Sequence, residues 1–257
     1  MIAELERAVG AAHVMTDPAQ VASYACDGLT GYRVAPSAVV LPATTDEVAA
    51  CVRICAEAGV PYVARGAGTG LSGGALPVAD GVVIGLQRLR DVLHVDIENE
   101  RVTVQPGVTN LAVSAVVALH GYYYAPDPSS QQVCTIGGNV AENSGGAHCL
   151  KYGFTTNHVL GAKVVLADGT LVELGGPVLD TPGYDLRGAL VGSEGTLCVV
   201  VEVTLRILRK PEATRTLFAT FPSTDQAGHA VSLIIAAGIV PAAIEMMDAL
   251  EIGRAHV

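Results

Sequence analysis

Residues 65–74 read RGAGTGLSGG, with glycine at 66, 68, 70, 73 and 74. Glycines gather where backbone must pass close to a ligand or take positive φ. Successive N–H groups can then form a concave nest for an anion, typically a phosphate. Three motifs share this spacing, and context separates them. Gly66-x-Gly68-x-Gly70 approximates a dinucleotide fingerprint, which has to open a helix. Here Pro77 and a strand-like run from Val82 to Leu86 follow instead. Gly70-Leu71-Ser72-Gly73-Gly74 spells the G-x-S-x-G elbow, which needs a strand directly before the serine and a helix directly after it. Neither flank fits, and no G-x-x-x-x-G-K-[ST] occurs in the chain. The loop is expected to bind an anion by another route. A nicotinamide-dependent enzyme, which would bind NAD(P) and be colourless, stands as the competing class.

Upstream of the loop, Val39 to Leu41 suits a strand ended by Pro42. Thr44 and Glu47 carry capping-box chemistry three residues apart. Val48, Cys51, Val52, Cys55 and Ala58 follow at helical spacing, Gly59 offers a stop, and Tyr62 to Ala64 reads as the next strand, giving a βαβ-like opening. Downstream, Arg101 to Gln105 is a strand and Thr109 to His120 a helix closed by Gly121. A second glycine-rich stretch, PDPSSQQVCTIGGNVAENSGG, spans 126–146. Two glycine loops about sixty residues apart make a pyrophosphate-containing cofactor the leading idea, against the alternative that both are tight turns. Ala162 to Leu166 and Leu171 to Leu174 flank an Asp168-Gly169 hairpin turn. Leu197 to Leu208 is a long alternating strand. A strand at Thr216 to Phe221, a helix from Thr224 to Ala237 and a strand near Ile244 open another unit.

The chain has 257 residues, half of them hydrophobic and 16% charged, so it is long and apolar enough for one large or two modest cores. Net charge is −10, with three lysines, Lys151, Lys163 and Lys210, among fifteen basic residues. Binding to a nucleic-acid backbone needs clustered basic residues and is not expected. The longest apolar stretch, Ala230 to Ala243, is broken by Ser232, Gly238 and Pro241 and is too short to span a bilayer. The start, MIAELERAVG, has no signal-peptide pattern. Six cysteines without CxxC spacing read as reduced, mostly buried thiols, and the expected address is the cytoplasm.

Four segments together resemble the flavoprotein family with a vanillyl-alcohol-oxidase (PCMH) type FAD-binding domain: residues 36–75, PDPSSQQVCTIGGNVAENSGGAHCLKYG at 126–153, ADGTLVELGG at 167–176 and PGYDLRGALVGSEGTL at 182–197. Within it the chain looks most like the glycolate oxidase FAD-linked subunit and its D-lactate and D-2-hydroxyglutarate dehydrogenase relatives. The resemblance implies an α+β fold, with a FAD-binding domain at 1–212 made of two α/β subdomains (about 36–90 and 100–210). The beginning of a truncated C-terminal substrate or cap domain would occupy 213–250. EIGRAHV, 251–257, fits no element of the family and reads as a non-native tail resembling translated sequencing adapter. By the same resemblance, Arg65, Gly66, Ala67, Gly68, Thr69, Gly70, Leu71 and Ser72 wrap the FAD pyrophosphate. Pro126, Asp127, Thr135, Gly137, Gly138 and Asn139 line the flavin and its ribityl chain, and Asn143, Gly145 and Gly146 continue that wall. Glu194, Gly195, Val199 and Val200 hold the adenine-ribose or ring end.

FAD is expected to be non-covalent, because no His or Cys lies in 65–74. His148 is expected in the pocket wall, with Cys134 and Cys149 packing nearby. Cys198 stands where the resemblance places Gly, which would cost about 1 kcal/mol or more if that residue needed positive φ. The implied reaction oxidises a small D-2-hydroxy acid, such as glycolate or D-lactate, to the 2-keto acid. Electrons would pass to a quinone, a partner subunit or a soluble carrier, with possible membrane association through partner subunits. Catalytic residues and any divalent metal are expected in the cap, beyond this chain, so the chain alone is expected to be inactive. A non-catalytic FAD-binding fragment, and an oxidase of sugar-type alcohols, are the alternatives.

Overall fold

A computed structural model describes residues 1–176 and 183–248; residues 177–182, within the second expected subdomain, and 249–257, including the suspected tail, lie outside the described residues. The first subdomain comprises α1 (Ile2–Val9), β1 (Val14–Met15), α2 (Pro18–Val21), β2 (Ala38–Val40), α3 (Thr45–Glu57), β3 (Tyr62–Arg65) and β4 (Val82–Gly85). Its sheet order is β1-β2-β4-β3, with β4 parallel to both β2 and β3 and β1 antiparallel at the edge. The βαβ opening is therefore real, but β4 inserts between its two strands. β2 and β4 are buried at every residue, as strands covered on both faces must be. One face packs on Leu5 and Val9 of α1 and Val48, Cys51, Val52 and Cys55 of α3. The other face puts Val39 and Val83 against Val21.

α3 starts where the sequence placed it. Thr44 Oγ1 accepts from Glu47 N at 3.1 Å, and the Glu47 carboxylate reaches back to Ala43 N at 2.6 Å, one residue before the cap. Ala58 closes the helix, and Gly59 follows at φ 65.

The second subdomain contains β5 (Val92–Asp96), β6 (Arg101–Val104), α4 (Asn110–Ala118), β7 (Tyr122–Tyr123), α5 (Ile136–Glu142), α6 (Cys149–Tyr152), β8 (Val159–Val165), β9 (Leu171–Gly175), α7 (Leu186–Leu190), β10 (Val199–Arg206) and β11 (Leu208–Arg209). Five strands form an antiparallel sheet in the order β5-β6-β10-β8-β9, and β7 pairs with β11 in a separate ladder. The hairpin between β8 and β9 turns at Gly169 with φ 83, and Asp168 Oδ1 accepts from Thr170 N at 2.8 Å.

β10 joins the two cores. Val199 and Val201 face the first subdomain, while Val200, Val203 and Leu205 face the second. Register shifts between Val200 and Glu202 and between Thr204 and Leu205 bend the strand across this joint.

α8 (Thr224–Ala236) ends one residue short of the expected helix and buries no side chain. The strands expected at Thr216 to Phe221 and near Ile244 are not formed. A strand needs a ladder partner for its N–H and C=O groups, and among the described residues neither segment pairs with a strand. Leu217 and Phe218 are 95% and 82% exposed. The long strand expected to Leu208 ends at Arg206, because Leu208 and Arg209 pair with Tyr123 and Tyr122 instead. The second glycine-rich stretch is not all loop: residues 136–142 are helix α5.

Candidate functional site

The 65–74 loop leaves the end of β3 and is braced from beneath. Arg65 is 8% exposed, and its Nη1 donates to Ala75 O at 3.0 Å and Tyr24 O at 3.3 Å. Its guanidinium also lies over the Tyr24 ring, 5.5 Å from the centroid. Gly68, at φ 70, rests on that guanidinium, so any Cβ there would strike it. Burial pulls the Arg65 pKa below its usual value, yet a guanidinium stays charged at neutral pH. A second brace comes from residues 27 and 28. Asp27 Oδ2 accepts from Gly73 N at 3.0 Å, and Gly28 N donates to Gly70 O at 2.9 Å.

Facing this loop is α5. Its N-terminal backbone is tied to the strand-to-helix turn before α4, through Ile136 N to Val108 O and Gly137 N to Pro106 O, both 2.8 Å. Gly137 has to be glycine, since a Cβ would lie 2.7 Å from Pro106 Cβ. The other end of α5 is fixed twice. Gly192 N and Glu194 N donate to the carbonyls of Val140 and Ala141, at 2.9 and 2.8 Å. Ser72 Oγ donates to Glu142 Oε2 at 2.5 Å, joining the first glycine loop to the helix end.

Loop, helix and the 192–195 turn enclose a cavity of about 470 Å3. The whole run Arg65 to Ser72 lies in its wall, together with Thr135, Gly137, Gly138, Asn139, Glu194, Gly195 and Val200. Six other expected residues fall outside the wall: Pro126, Asp127, Asn143, Gly145, Gly146 and Val199. Each has a structural reason. A strand presents alternate residues to opposite faces, so Val199 points into the first core when Val200 faces the cavity. Asn143 closes α5 at φ 48, and its Oδ1 accepts from Thr156 N at 3.0 Å. Pro126 O accepts from the buried Asn110 amide at 3.0 Å. Gly146 lies on Asp127 with no room for a side chain, and a Cβ on Gly145 would be 2.5 Å from both Cys149 Sγ and the Phe154 ring. His148 is outside the wall as well, paired with Asp127.

Sequence reasoning did not single out Pro106, Ser130, Glu142 and Leu190 as wall residues, nor Asp27 as a brace. The signal for Glu142 was its place one turn beyond Gly138 and Asn139, readable only once 136–142 is known to be helix. Cys134 and Cys198 also line the wall, both buried. Burial pushes the Cys198 thiol up to about 11 and raises that of Cys134, so both stay protonated at neutral pH. Cys198 does not have positive φ, so a β-carbon there carries none of the strain the sequence suggested.

The wall contains one cation, Arg65, and two carboxylates, Glu142 and Glu194. Side-chain charge therefore does not make this an anion site; backbone N–H groups of the glycine segments have to. Residues 36–175 match the family of FAD binding domains. The chain belongs to that family. Residues 210–256 match the C-terminal domain of FAD linked oxidases. Among curated relatives, glycolate oxidase subunit GlcD of Escherichia coli (strain K12) is 51% identical over 237 residues, covering 92% of this chain and 48% of the relative. Its Bacillus subtilis (strain 168) namesake is 45% identical, covering 88% and 48%. A D-lactate dehydrogenase of Archaeoglobus fulgidus is 37% identical, covering 84% and 49%. The chain thus spans about half the length of the curated relatives it matches. A solved alkyldihydroxyacetonephosphate synthase superposes with TM-score 0.82 at 23% identity, over 94% of this chain and 46% of that one, and shows the same fold.

FAD is the cofactor of the family, and the wall suits it. Three polar atoms in it, Thr135 Oγ1, Asn139 Nδ2 and Ser193 Oγ, are buried without a partner. Buried polar groups are rarely left unpaired, so these point to a polar ligand. Thr135 is the N-cap residue of α5 yet makes no capping bond, leaving its hydroxyl beside Gly66 and the cavity. The apolar stretch of Leu86, Pro106, Leu190, Cys198 and Val200 offers the surface that a ring system requires.

Proposed function

We propose that this chain is the FAD-binding part of an oxidoreductase that converts a small D-2-hydroxy acid, such as glycolate or D-lactate, to its 2-keto acid. The observation that carries the reading is the meeting of both glycine segments on one cavity whose buried hydroxyl and amide groups lack partners. The substrate class rests on the identity to glycolate oxidase subunits and a D-lactate dehydrogenase. Amides of residues 65–72 bind the pyrophosphate, Thr135, Asn139 and Ser193 satisfy polar atoms further along the cofactor, and the apolar wall seats the ring. When bound, FAD supplies the two-electron, hydride-accepting chemistry that the side chains of this domain lack. Binding is non-covalent, since residues 65–74 include no His or Cys.

Residues 1–212 form the FAD-binding unit, and 213–250 begin a further domain that carries the substrate. The exposure of Leu217 and Phe218 and the absence of buried residues on α8 fit a segment completed by more chain. Electrons leave to a quinone, a partner subunit or a soluble carrier. Among the described residues no helix is long and apolar enough to cross a membrane, and no group of three or more His, Cys, Asp or Glu could hold a metal. A cytoplasmic enzyme with partner subunits fits this reading.

The test is to purify the full-length protein, record its visible spectrum, release the chromophore by heat and identify it. Glycolate, D-lactate and D-2-hydroxyglutarate are then added to the oxidised protein without oxygen. Unmodified FAD in the supernatant and bleaching of the flavin band by one of the three is the expected result. A loaded protein that none of them bleaches, but a sugar-type alcohol does, would overturn the substrate class. A colourless protein that also refuses added FAD would overturn the cofactor site.

A further inference from the structure

One side-chain hydrogen bond crosses the open side of the cavity. The exposed residues of the wall are Ala67, Leu71 and Ser72 of the glycine loop and Glu194 and Gly195 of the 192–195 turn, whereas Thr135, Asn139, Cys198 and Val200 are buried. The cavity therefore opens between the loop and that turn. Glu142, the last residue of α5, reaches the loop there. Its Oε2 accepts from Ser72 Oγ at 2.5 Å, and among the described residues this is the only hydrogen bond between loop and helix. Its Oε1 lies against the loop backbone. A Cβ on Gly74 would be 2.8 Å from Glu142 Oε1 and 3.4 Å from Glu194 Oε2, and one on Gly70 would be 3.3 Å from Glu142 Oε1. The carboxylate thus fills the gap between loop and turn.

The backbones on both sides of this bond are anchored. Gly70 O and Gly73 N are held by Gly28 N and Asp27 Oδ2, while the carbonyls of Val140 and Ala141 accept from Gly192 N and Glu194 N. At the buried end of the cavity, Gly66 and Thr135 are too close for a Cβ to separate them. The part free to move at the opening is the half-buried Glu142 side chain, and the Ser72 hydroxyl is what holds it across. Affinity for a pyrophosphate gives no reason for a glutamate here. A carboxylate only accepts hydrogen bonds, as a pyrophosphate does, so the two have nothing to exchange. Closure of the opening does give a reason.

We propose that the Ser72–Glu142 hydrogen bond is a clasp that sets the rate at which FAD enters and leaves the cavity. This rests on the reading of the cavity as the FAD site. The clasp closes over the empty cavity and closes again behind the bound cofactor. FAD passes only while the bond is broken, so the open fraction scales entry. The same fraction scales release. Loosening the clasp therefore speeds both directions by a similar factor, whereas loss of an ordinary contact to the cofactor would speed release alone.

The test times FAD exchange in the full-length protein. Release is measured by chasing bound FAD with an excess of radiolabelled FAD, and entry by mixing FAD-stripped protein with FAD and following flavin fluorescence. Ser72→Ala should raise both rate constants about ten-fold. Ser72 is exposed, so its truncation leaves both cores untouched. Glu142→Ala should speed both directions as well, and the double variant should release FAD no faster than Glu142→Ala, because the two substitutions remove one and the same bond. Glu142→Gln keeps an acceptor oxygen at the same reach and should release FAD at close to the parent rate. Parent-like rates in Ser72→Ala overturn the proposal, as does faster release with unchanged entry. Additive effects in the double variant, or a Glu142→Gln protein as fast as Glu142→Ala, overturn it too. A parent protein that neither carries nor takes up FAD defeats the cavity reading and this proposal together. FAD exchanged at one rate by the parent and by Ser72→Ala defeats this proposal alone.

Discussion

A β-carbon added to Gly66 would collide with the Thr135 hydroxyl, so the first glycine loop and the first residue of the α5 turn touch with nothing to spare. Gly66→Ala must therefore push the loop off the helix. The expected outcome is a protein that melts several degrees lower without cofactor and loses most of its FAD after gel filtration. Gly138→Ala is the comparison, because a Cβ there meets only Thr135 Oγ1 at 3.7 Å. Its cofactor-free melting temperature should hold or rise, since alanine is favoured over glycine inside a helix by about 0.5–1 kcal/mol. Equal melting of the two variants would show that the contact is not tight.

Asn143 tests how α5 ends. It sits at φ 48 and ψ 50 and also holds Thr156 N at 3.0 Å through Oδ1. Asn143→Ala loses the hydrogen bond and forces an alanine into left-handed backbone, at about 2–3 kcal/mol in total. Asn143→Gly keeps the backbone free and should lose only about 1 kcal/mol. Urea unfolding measures both, and an alanine variant no worse than the glycine one would refute the strain.

How much of this was legible in the sequence depends on whether the deciding interaction was local. Thr44 with Glu47, Gly59, Thr109 and Asp168-Gly169 act within a few residues and set their elements where expected, although α4 ends at Ala118, two residues short of the His120 expected from Gly121. α5 was hidden, because Gly137 and Gly138 disfavour helix and are present for contacts with Pro106 and the loop at 65–74. β5 escaped because His94 and Asp96 interrupt its apolar residues, and it is a sheet edge paired on one side only. Among the candidate site residues, contiguous loop positions 65–72 all reached the cavity. Asn143 did not, because it closes α5 in left-handed backbone, and Gly145 and Gly146 did not, because glycines that admit a neighbouring side chain look the same in sequence as glycines that admit a ligand. Asp27 carried no signal at all: its partner Gly73 is 46 residues away.

The buried thiols predict a loss of stability in alkali. Burial pushes Cys51 up to about 12 and Cys55 and Cys198 up to about 11, whereas an unfolded thiol ionises near 8.5. Between these values the unfolded chain has released protons that the folded chain retains, so unfolding becomes easier as pH rises. Each thiol removes up to about 1.4 kcal/mol per pH unit in that window and nothing below it. The urea midpoint should be flat from pH 7 to 8 and fall from about pH 9 upward. Cys198→Ala should flatten the fall, and an unchanged slope in that variant would show that the thiol ionises freely in the fold.

Cys198→Gly separates backbone strain from packing. Since Cys198 is buried and lacks positive φ, glycine relieves nothing and leaves a gap beside Val200 and Leu190. The variant should be less stable by about 1–2 kcal/mol and should bind FAD no more tightly than the parent. A gain in both stability and FAD content would mean that the thiol obstructs the ring.

Asp27 is the most remote residue expected to control FAD. It is 6% exposed and divides its carboxylate, with Oδ1 accepting from Leu29 N at 2.9 Å and Oδ2 from Gly73 N at 3.0 Å. Asp27→Asn offers one oxygen and one NH2, so one backbone N–H loses its acceptor and faces a donor, at about 1–3 kcal/mol. Because Gly73 closes the loop that begins at Arg65, the cost should appear as a roughly ten-fold or greater rise in the FAD dissociation constant, read by fluorescence titration. Asp17→Asn is the matched control. There a single oxygen, Oδ1, accepts from both Ala19 N and Gln20 N at 2.9 and 3.3 Å, and asparagine caps as well as aspartate. FAD affinity should be unchanged in the Asp17 variant. If the Asp27 variant also binds FAD like the parent, the 27–28 brace does not set the shape of the loop, and the hold of Arg65 on Ala75 and Tyr24 is sufficient alone.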